Sequence, residues 1–190
     1  MVNFKVRIEG VSDLLQNNCQ IMEMKQPKSP EQIPAWLEAQ VYRGEDGFLY
    51  HPSAAIRNAF LEGAKQMKIG KKSAKTVLMG ITNIFPELYI PLYRNGEQIK
   101  DYVKFTTSAV NHNVGKGGAR IITHRPKIVL PWEMEFILEV NDDFLDINET
   151  TKKQLRDIFT QAGMMVGIGC WRPEKSGLFG RFRVKSFEQV

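Results

Sequence analysis

The carboxy-terminal stretch GIGCWRPEKSGLFGRFRV, from Gly167 to Val184, constrains the fold most, because four of its residues are glycine. Glycine lacks a Cβ and adopts positive φ angles at low cost, so it is favoured where a backbone bends sharply or passes close to another group. We therefore predict a glycine-rich loop that closes in a strand over GRFRV. The stretch also carries three arginines, one lysine and one tryptophan.

Two interpretations of this glycine-rich segment are open. Arginine offers a planar fork of donors that suits phosphate, and with glycine and an aromatic residue it is typical of loops that touch a nucleic-acid backbone. The alternative is a turn-rich hairpin with solvated charges. The rest of the chain decides between them.

Composition indicates an ordinary soluble protein. The 190 residues are 43% hydrophobic and 25% charged, which fits one domain over residues 1–190 with an insertion at about 94–127. No apolar run is long enough to cross a membrane and the amino terminus is unlike a signal peptide, so we expect a cytoplasmic protein. Cys19 and Cys170 lack the spacing of metal ligands. No metal or nucleotide motif is present, and we expect no cofactor.

Charge is distributed unevenly along the chain, whose net charge is +5. Lysines and arginines concentrate in residues 65–75, 94–127 and 172–185, whereas residues 133–149 carry seven acids and neither lysine nor arginine. Such segregation favours a basic side of the molecule, and a polyanion is the commonest partner for one. A merely solvated surface is the alternative.

Hydrophobic periodicity predicts the main elements. FKVRIEGV and WEMEFILEV alternate as half-buried strands, and helices are predicted after Ser53 and after an Asn148 cap, the second ending at Gly163. The segment VSDLLQNN is interpreted as a turn or short helix. The order is then βαββαβ, so we predict an α+β fold with a ferredoxin-like (RRM-like) core, in which two helices cover one face of an antiparallel sheet.

This arrangement resembles the RAMP superfamily, the ferredoxin-like proteins that form RNA-binding backbones and crRNA-processing nucleases of CRISPR systems. The resemblance rests on the opening strand leading into GVSDLLQ, the helix start HPSAAIRNAF and the glycine-rich tail AGMMVGIGCWRPEKSGLFGRF. It covers nearly the whole chain and is strongest in the tail. It is greatest to small stand-alone members from phages and bacteria.

The resemblance implies a set of nucleic-acid contacts. The loop would follow an RNA or DNA backbone, and the insertion at 94–127 would be a protruding basic hairpin, the thumb. The implied contact residues are Arg57, Lys68, Lys71, Lys72, Lys116, Arg120, Arg125, Gly167, Gly169, Arg172, Lys175, Gly177, Gly180 and Arg181. Trp171 would stack on a base or anchor the loop in the core. For Arg57 the alternative is a helix charge near a surface acid, and for the insertion it is a solvated loop.

Three functions follow as hypotheses. The first is a single-stranded RNA- or DNA-binding protein without strong sequence choice, which multimerises along the strand or joins a ribonucleoprotein complex. The second is a metal-independent endoribonuclease, for which His51, just before the first helix, is the candidate general acid or base. The third is a structural self-assembling protein. We expect binding rather than catalysis.

Overall fold

The computed structural model describes residues 1–18, 24–85, 88–111 and 119–190. The strands in these ranges are β1 (Val2–Gly10), β2 (Leu14–Leu15), β3 (Tyr42–Arg43), β4 (Leu49–Pro52), β5 (Lys68–Ile69), β6 (Lys72–Ser73), β7 (Thr82–Phe85), β8 (Tyr89–Pro91), β9 (Tyr93–Arg94), β10 (Glu97–Gln98), β11 (Val103–Asn111), β12 (Ala119–Ile128), β13 (Glu133–Val140) and β14 (Phe182–Gln189). The α-helices are α1 (Ile33–Glu38), α2 (Ser53–Gly63), α3 (Ala74–Leu78) and α4 (Glu149–Gln161).

The largest sheet has β1 at its centre. β14 pairs with one edge of β1 and β13 with the other, while β7 and β9 pair with β13 along its far edge, and all these pairs are antiparallel. Alternation explains why β1 and β13 form: Phe4, Val6 and Ile8 are fully buried, and every second residue of β13 is buried. Both predicted strands are confirmed, as are the α+β class and its antiparallel sheets.

The helices α2 and α4 pack together against the buried face of this sheet. The rings of Phe60 and Phe159 lie 4.4 Å apart, and Phe159 also contacts Phe136 of β13 at 5.7 Å. Gly63 permits the close approach, because a Cβ there would lie 2.8 Å from the amide nitrogen of Ala162. These aromatic contacts place the core between the helix pair and the sheet.

The two helices begin as predicted, but α4 does not end as predicted. The side chain of Asn148 accepts a hydrogen bond from the Thr151 amide at 3.0 Å, which confirms the cap. The predicted stop at Gly163 is wrong, since a π-helical turn continues over Ala162–Val166. Glycine is needed there because a Cβ at Gly163 would lie 2.0 Å from the carbonyl oxygen of Phe182.

Beside the largest sheet, the described residues form three smaller ones. β11 and β12 form a long antiparallel hairpin, and β12 also pairs with β2. The segment predicted as a turn or short helix therefore contains a strand, because Leu14 and Leu15 pair with Ile128 and Lys127. β4 lies between β3 and β8, and β5 pairs with β6. The β2–β12 pairing brings the base of the hairpin next to the glycine-rich segment, which forms the candidate site.

Candidate nucleic-acid interface

The segment from Gly167 to Gly180 is held in place by its own backbone. The amide of Gly167 donates to Ala162 and that of Gly177 to Arg172, and the amide of Gly180 donates to the carbonyl of Asp13 at 2.8 Å. These amides are therefore engaged within the protein. Contacts of this loop with a nucleic acid would have to come from its side chains and from its remaining amides.

The glycines of the loop are required by close packing of protein against protein. A Cβ at Gly177 would lie 1.6 Å from the carbonyl oxygen of Trp171, and one at Gly180 would lie 1.8 Å from that of Ile168. A Cβ at Gly169, whose φ is +75°, would lie 2.3 Å from the carbonyl oxygen of Leu15 of β2. Glycine here permits backbone segments to touch each other, so its role is to shape the loop.

Trp171 joins the loop to the base of the hairpin. Its ring lies edge-on to Phe105 of β11 at 6.0 Å and tilted to Phe179 at 6.5 Å, and Phe105 and Phe179 are 5.1 Å apart. The backbone carbonyl of Trp171 also accepts a hydrogen bond from Phe179. These contacts support the anchor interpretation of Trp171 over the base-stacking one.

A cleft of about 420 Å³ opens where the loop, the hairpin and β4 meet. Three cationic side chains line it, Arg125 from β12 and Arg172 and Lys175 from the loop, and we call it the basic cleft. His51 from β4 and Tyr42 from β3 form the opposite wall. The described residues lining the cleft include no carboxylate. Such an arrangement of donors and positive charge is suited to a phosphate group.

The cations of the basic cleft differ in how they are held. Arg125 donates one Nη to the Oε1 of Gln40, while its Nε is buried without a hydrogen-bond partner among the described residues. Arg172 donates to the carbonyl of Gly169 at 3.3 Å and pairs with Glu174 at 2.6 Å. Lys175 makes no ion pair within the described ranges. A buried donor without a partner is unusual and indicates a place for an acceptor.

His51 is buried in the wall of the basic cleft, with 2% of its surface exposed. The Nε2 of Gln16 lies 3.5 Å from its Nδ1, and its own Nε2 has no partner among the described atoms. Burial lowers the pKa of His51 to about 4. The ring is therefore neutral at neutral pH and a weak proton acceptor, whereas a general base works best with a pKa near the working pH.

Several predicted contact residues lie outside the basic cleft. Arg57 donates to the carbonyls of Met79 at 2.5 Å and Thr82 at 3.3 Å, so it ties α2 to the start of β7 and to the turn before it. Arg181 lies against the β1–β2 turn, where its amide donates to the Ser12 hydroxyl. The exposed lysines of the β5–β6 ladder are Lys68, Lys71 and Lys72. They remain predicted contacts.

The structure thus unites five of the predicted residues at one place, namely His51, Arg125, Gly169, Arg172 and Lys175. Gly167 lies in a neighbouring groove with Glu62 and Glu174. Lys116 lies outside the described residues, and the backbone of Arg120 is part of β12. Cys19 also lies outside the described residues.

Sequence reasoning missed the thiol of Cys170, which lines the basic cleft. Its pKa is raised by burial, against the opposing charges of Arg125 and Arg172. In the described ranges no three potential metal ligands cluster together, and no helix is long and apolar enough to cross a membrane. Cationic side chains are therefore the main chemical groups among the described residues that line the cleft.

Comparison with protein-family models gives no match, and neither does comparison with curated protein sequences. Among solved structures, the chain is similar to a chain in the cryo-EM structure of the Type III-B Cmr-beta bound to cognate target RNA, with a TM-score of 0.61 and 12% identity. The match covers 100% of this chain and 60% of that chain. The likeness is one of fold. It agrees with an α+β architecture built on antiparallel sheets.

Proposed function

We propose that the chain binds single-stranded RNA or DNA through the basic cleft, without strong sequence choice. The observation that carries the proposal is the convergence of Arg125, Arg172 and Lys175 around a cavity whose described lining has no carboxylate. Contacts of this kind to phosphates supply affinity and fix the orientation of a strand but carry no sequence information. The fold likeness to a chain of an RNA-bound structure supports the same class of partner.

We also assign the chain to the RAMP type. The strand order β14–β1–β13–β7, with α2 and α4 on one face, supports the proposal of a ferredoxin-like βαββαβ core in a single domain. The β11–β12 hairpin then serves as the thumb. Such a protein would multimerise along a strand or act as a subunit of a ribonucleoprotein complex. If phage-encoded, it would coat single strands in replication or recombination, or act on a host CRISPR complex.

The test is fluorescence anisotropy of a labelled single-stranded oligonucleotide, with Arg172→Gln and Lys175→Gln combined. We expect the double variant to bind about tenfold or more weakly, and the slope of log affinity against log salt to fall by about one to two units. The matched control is Lys5→Gln with Arg7→Gln, which removes two charges that pair with Glu135 on the main sheet and do not line the cleft. No binding by the unmodified protein at low salt would overturn the proposal.

The alternative functions are separated with the same samples. Cleavage of structured RNA in EDTA that is lost in His51→Gln would support an endoribonuclease. Oligomers that size-exclusion chromatography finds unchanged by oligonucleotide and by high salt would support a structural self-assembling protein. Binding without cleavage, accompanied by larger assemblies on a longer strand, is the outcome that we expect.

A further inference from the structure

A second cavity adjoins the basic cleft and has a different chemistry. Its volume is about 650 Å³, and its walls include the side chains of Tyr42, Tyr50 and Tyr89. We call it the tyrosine cavity. The three tyrosines converge because β4 pairs on both sides: Tyr50 lies opposite Tyr42 of β3, and Pro52 lies opposite Tyr89 of β8.

Tyr42 is the wall that the two cavities share. It lines both of them, and its ring lies edge-on to His51 of the basic cleft at 6.1 Å and tilted towards Tyr89 at 5.9 Å. A chain passing over Tyr42 therefore moves directly from cationic donors to aromatic rings. Tyr89 is 49% exposed, which leaves much of its surface available for contact.

The polar groups of the tyrosine cavity do not suit a phosphate. Glu38 lies on its lining, where its carboxylate is held by Arg43 and by the hydroxyl of Tyr102 at 3.0 Å. Arg43 is itself occupied, since it also donates to the carbonyls of Gly47 at 2.7 Å and Lys100 at 3.0 Å. Because Arg43 and Glu38 neutralise each other, neither offers an unpaired positive charge to a phosphate, while the carboxylate oxygens have lone pairs that accept hydrogen bonds from amino groups, such as those on the edges of nucleobases.

We propose that the tyrosine cavity binds one unstacked base of a single strand whose neighbouring phosphate lies in the basic cleft. This inference rests on the proposed function and adds to it a base-recognition site next to the phosphate contacts. Every base has a π-face, so stacking on tyrosine adds affinity without demanding one sequence. The carboxylate of Glu38 makes bases that carry an exocyclic amino group the favoured occupants.

The experiment compares two strands of equal length and charge, one with bases and one abasic. In the unmodified protein, the strand with bases binds more tightly. Tyr89→Ala weakens its binding about tenfold, within the range measured for aromatic–base stacking, but leaves binding of the abasic strand within about twofold. Tyr89→Phe keeps the ring and binds as the unmodified protein does. The Arg172→Gln, Lys175→Gln variant weakens both strands alike.

A second measurement reports on stacking directly. A 2-aminopurine placed within the strand is quenched when it stacks on an aromatic ring, so we expect quenching with the unmodified protein and Tyr89→Phe and less with Tyr89→Ala. Equal loss for both strands, or no loss for either, would overturn the inference while the proposed function stands. If neither strand binds the unmodified protein, the proposed function itself fails.

Discussion

Two surfaces of this protein are rich in cations, and they differ in what surrounds those cations. On the solvent face of the main sheet, lysines and arginines alternate with acids on the neighbouring strands and pair with them. The pairs are Lys5 and Arg7 with Glu135, Arg183 and Lys185 with Glu9, and Lys185 with Glu133. In the basic cleft, cations from different elements line one cavity, and Glu174, which is not part of the described lining, pairs with Arg172.

From this difference we expect local pairing, more than the number of cations, to decide which of the two surfaces attracts a polyanion. Antiparallel pairing sets Arg7 directly opposite Glu135, so the field of each is cancelled within a few ångströms. Exposed pairs of this kind contribute little to stability, about 1 kcal/mol or less. In the basic cleft only Arg172 is paired in this way, with Glu174, whereas Arg125 and Lys175 have no acid partner among the described residues, so more of the positive charge there is left uncancelled.

The largest effect is expected when the loop that forms the cleft is disturbed. Gly180→Ala places a Cβ 1.8 Å from the carbonyl of Ile168 at a φ of +69°, so we expect a loss of about 4 kcal/mol in the free energy of unfolding, from overlap and left-handed strain together. Gly96→Ala is the control: its φ is +86° but nothing lies within 4 Å of its Cβ position, so about 1 to 2 kcal/mol is expected. Urea unfolding measures both.

If the two alanine variants lose equal stability, the loop shifts to accommodate the added Cβ at residue 180, and the close contact between Gly180 and Ile168 does not hold it in place. If Gly180→Ala stays folded but loses oligonucleotide binding, while Gly96→Ala keeps it, the cleft and not the sheet face supplies the binding. That result would sharpen the comparison between the two surfaces.

The same glycine illustrates what a sequence can and cannot predict. Strands β1 and β13 and the cap of α4 were predictable because alternation and capping are local patterns within a few residues. Glycines in the tail correctly predicted a loop, but a pattern of glycines does not reveal whether the close neighbour is a ligand or the protein. Here it is the carbonyl oxygen of Ile168.

The candidate site was predictable only in part, for a similar reason. Arg125, Arg172 and Lys175 were each predicted as contacts, but their meeting depends on pairing between β2 and β12, whose residues Leu15 and Lys127 are far apart in the chain. No local pattern marks a two-residue strand. The burial of His51 was equally hidden, because it depends on neighbours from distant segments such as Gln16.

A loss of stability of intermediate size is expected when the pH is lowered. It arises at His51 in the wall of the basic cleft at a higher pH than at the ion pairs of Glu135 on the sheet. Because the pKa of His51 is lowered to about 4 from an ordinary value of 6.5, its neutral form favours the folded state. That contribution is complete above pH 6.5 and is lost as the pH falls towards 4, with about 2 kcal/mol gone by pH 5. Burial alone would raise the pKa of Glu135, but its hydrogen bond to Lys5 and the charges of Lys5 and Arg7 lower it, so Glu135 keeps its charge to a lower pH than an ordinary glutamate does.

Urea unfolding of the unmodified protein and of His51→Gln at pH 7 and pH 5 measures this contribution. We expect the unmodified protein to lose more stability than the variant over this interval, by about 2 kcal/mol. Equal losses would mean that His51 is accessible to protons in the folded state, which would also reopen its role as a general base.

The smallest effect comes from a matched pair of charge changes, one on each surface. Glu174→Gln releases Arg172 from its partner at 2.6 Å, and Glu135→Gln releases Lys5 and Arg7 on the sheet face. Each raises the net charge by the same amount, so any difference between them is local. We expect Glu174→Gln to tighten oligonucleotide binding about two- to threefold at low salt and Glu135→Gln to change it less, since an exposed pair is worth about 1 kcal/mol or less.

Anisotropy at two salt concentrations measures both, and the gain for Glu174→Gln should shrink as salt screens it. Equal tightening by the two variants would mean that the strand responds to total charge, and the distinction between the cleft and the sheet face would then be lost.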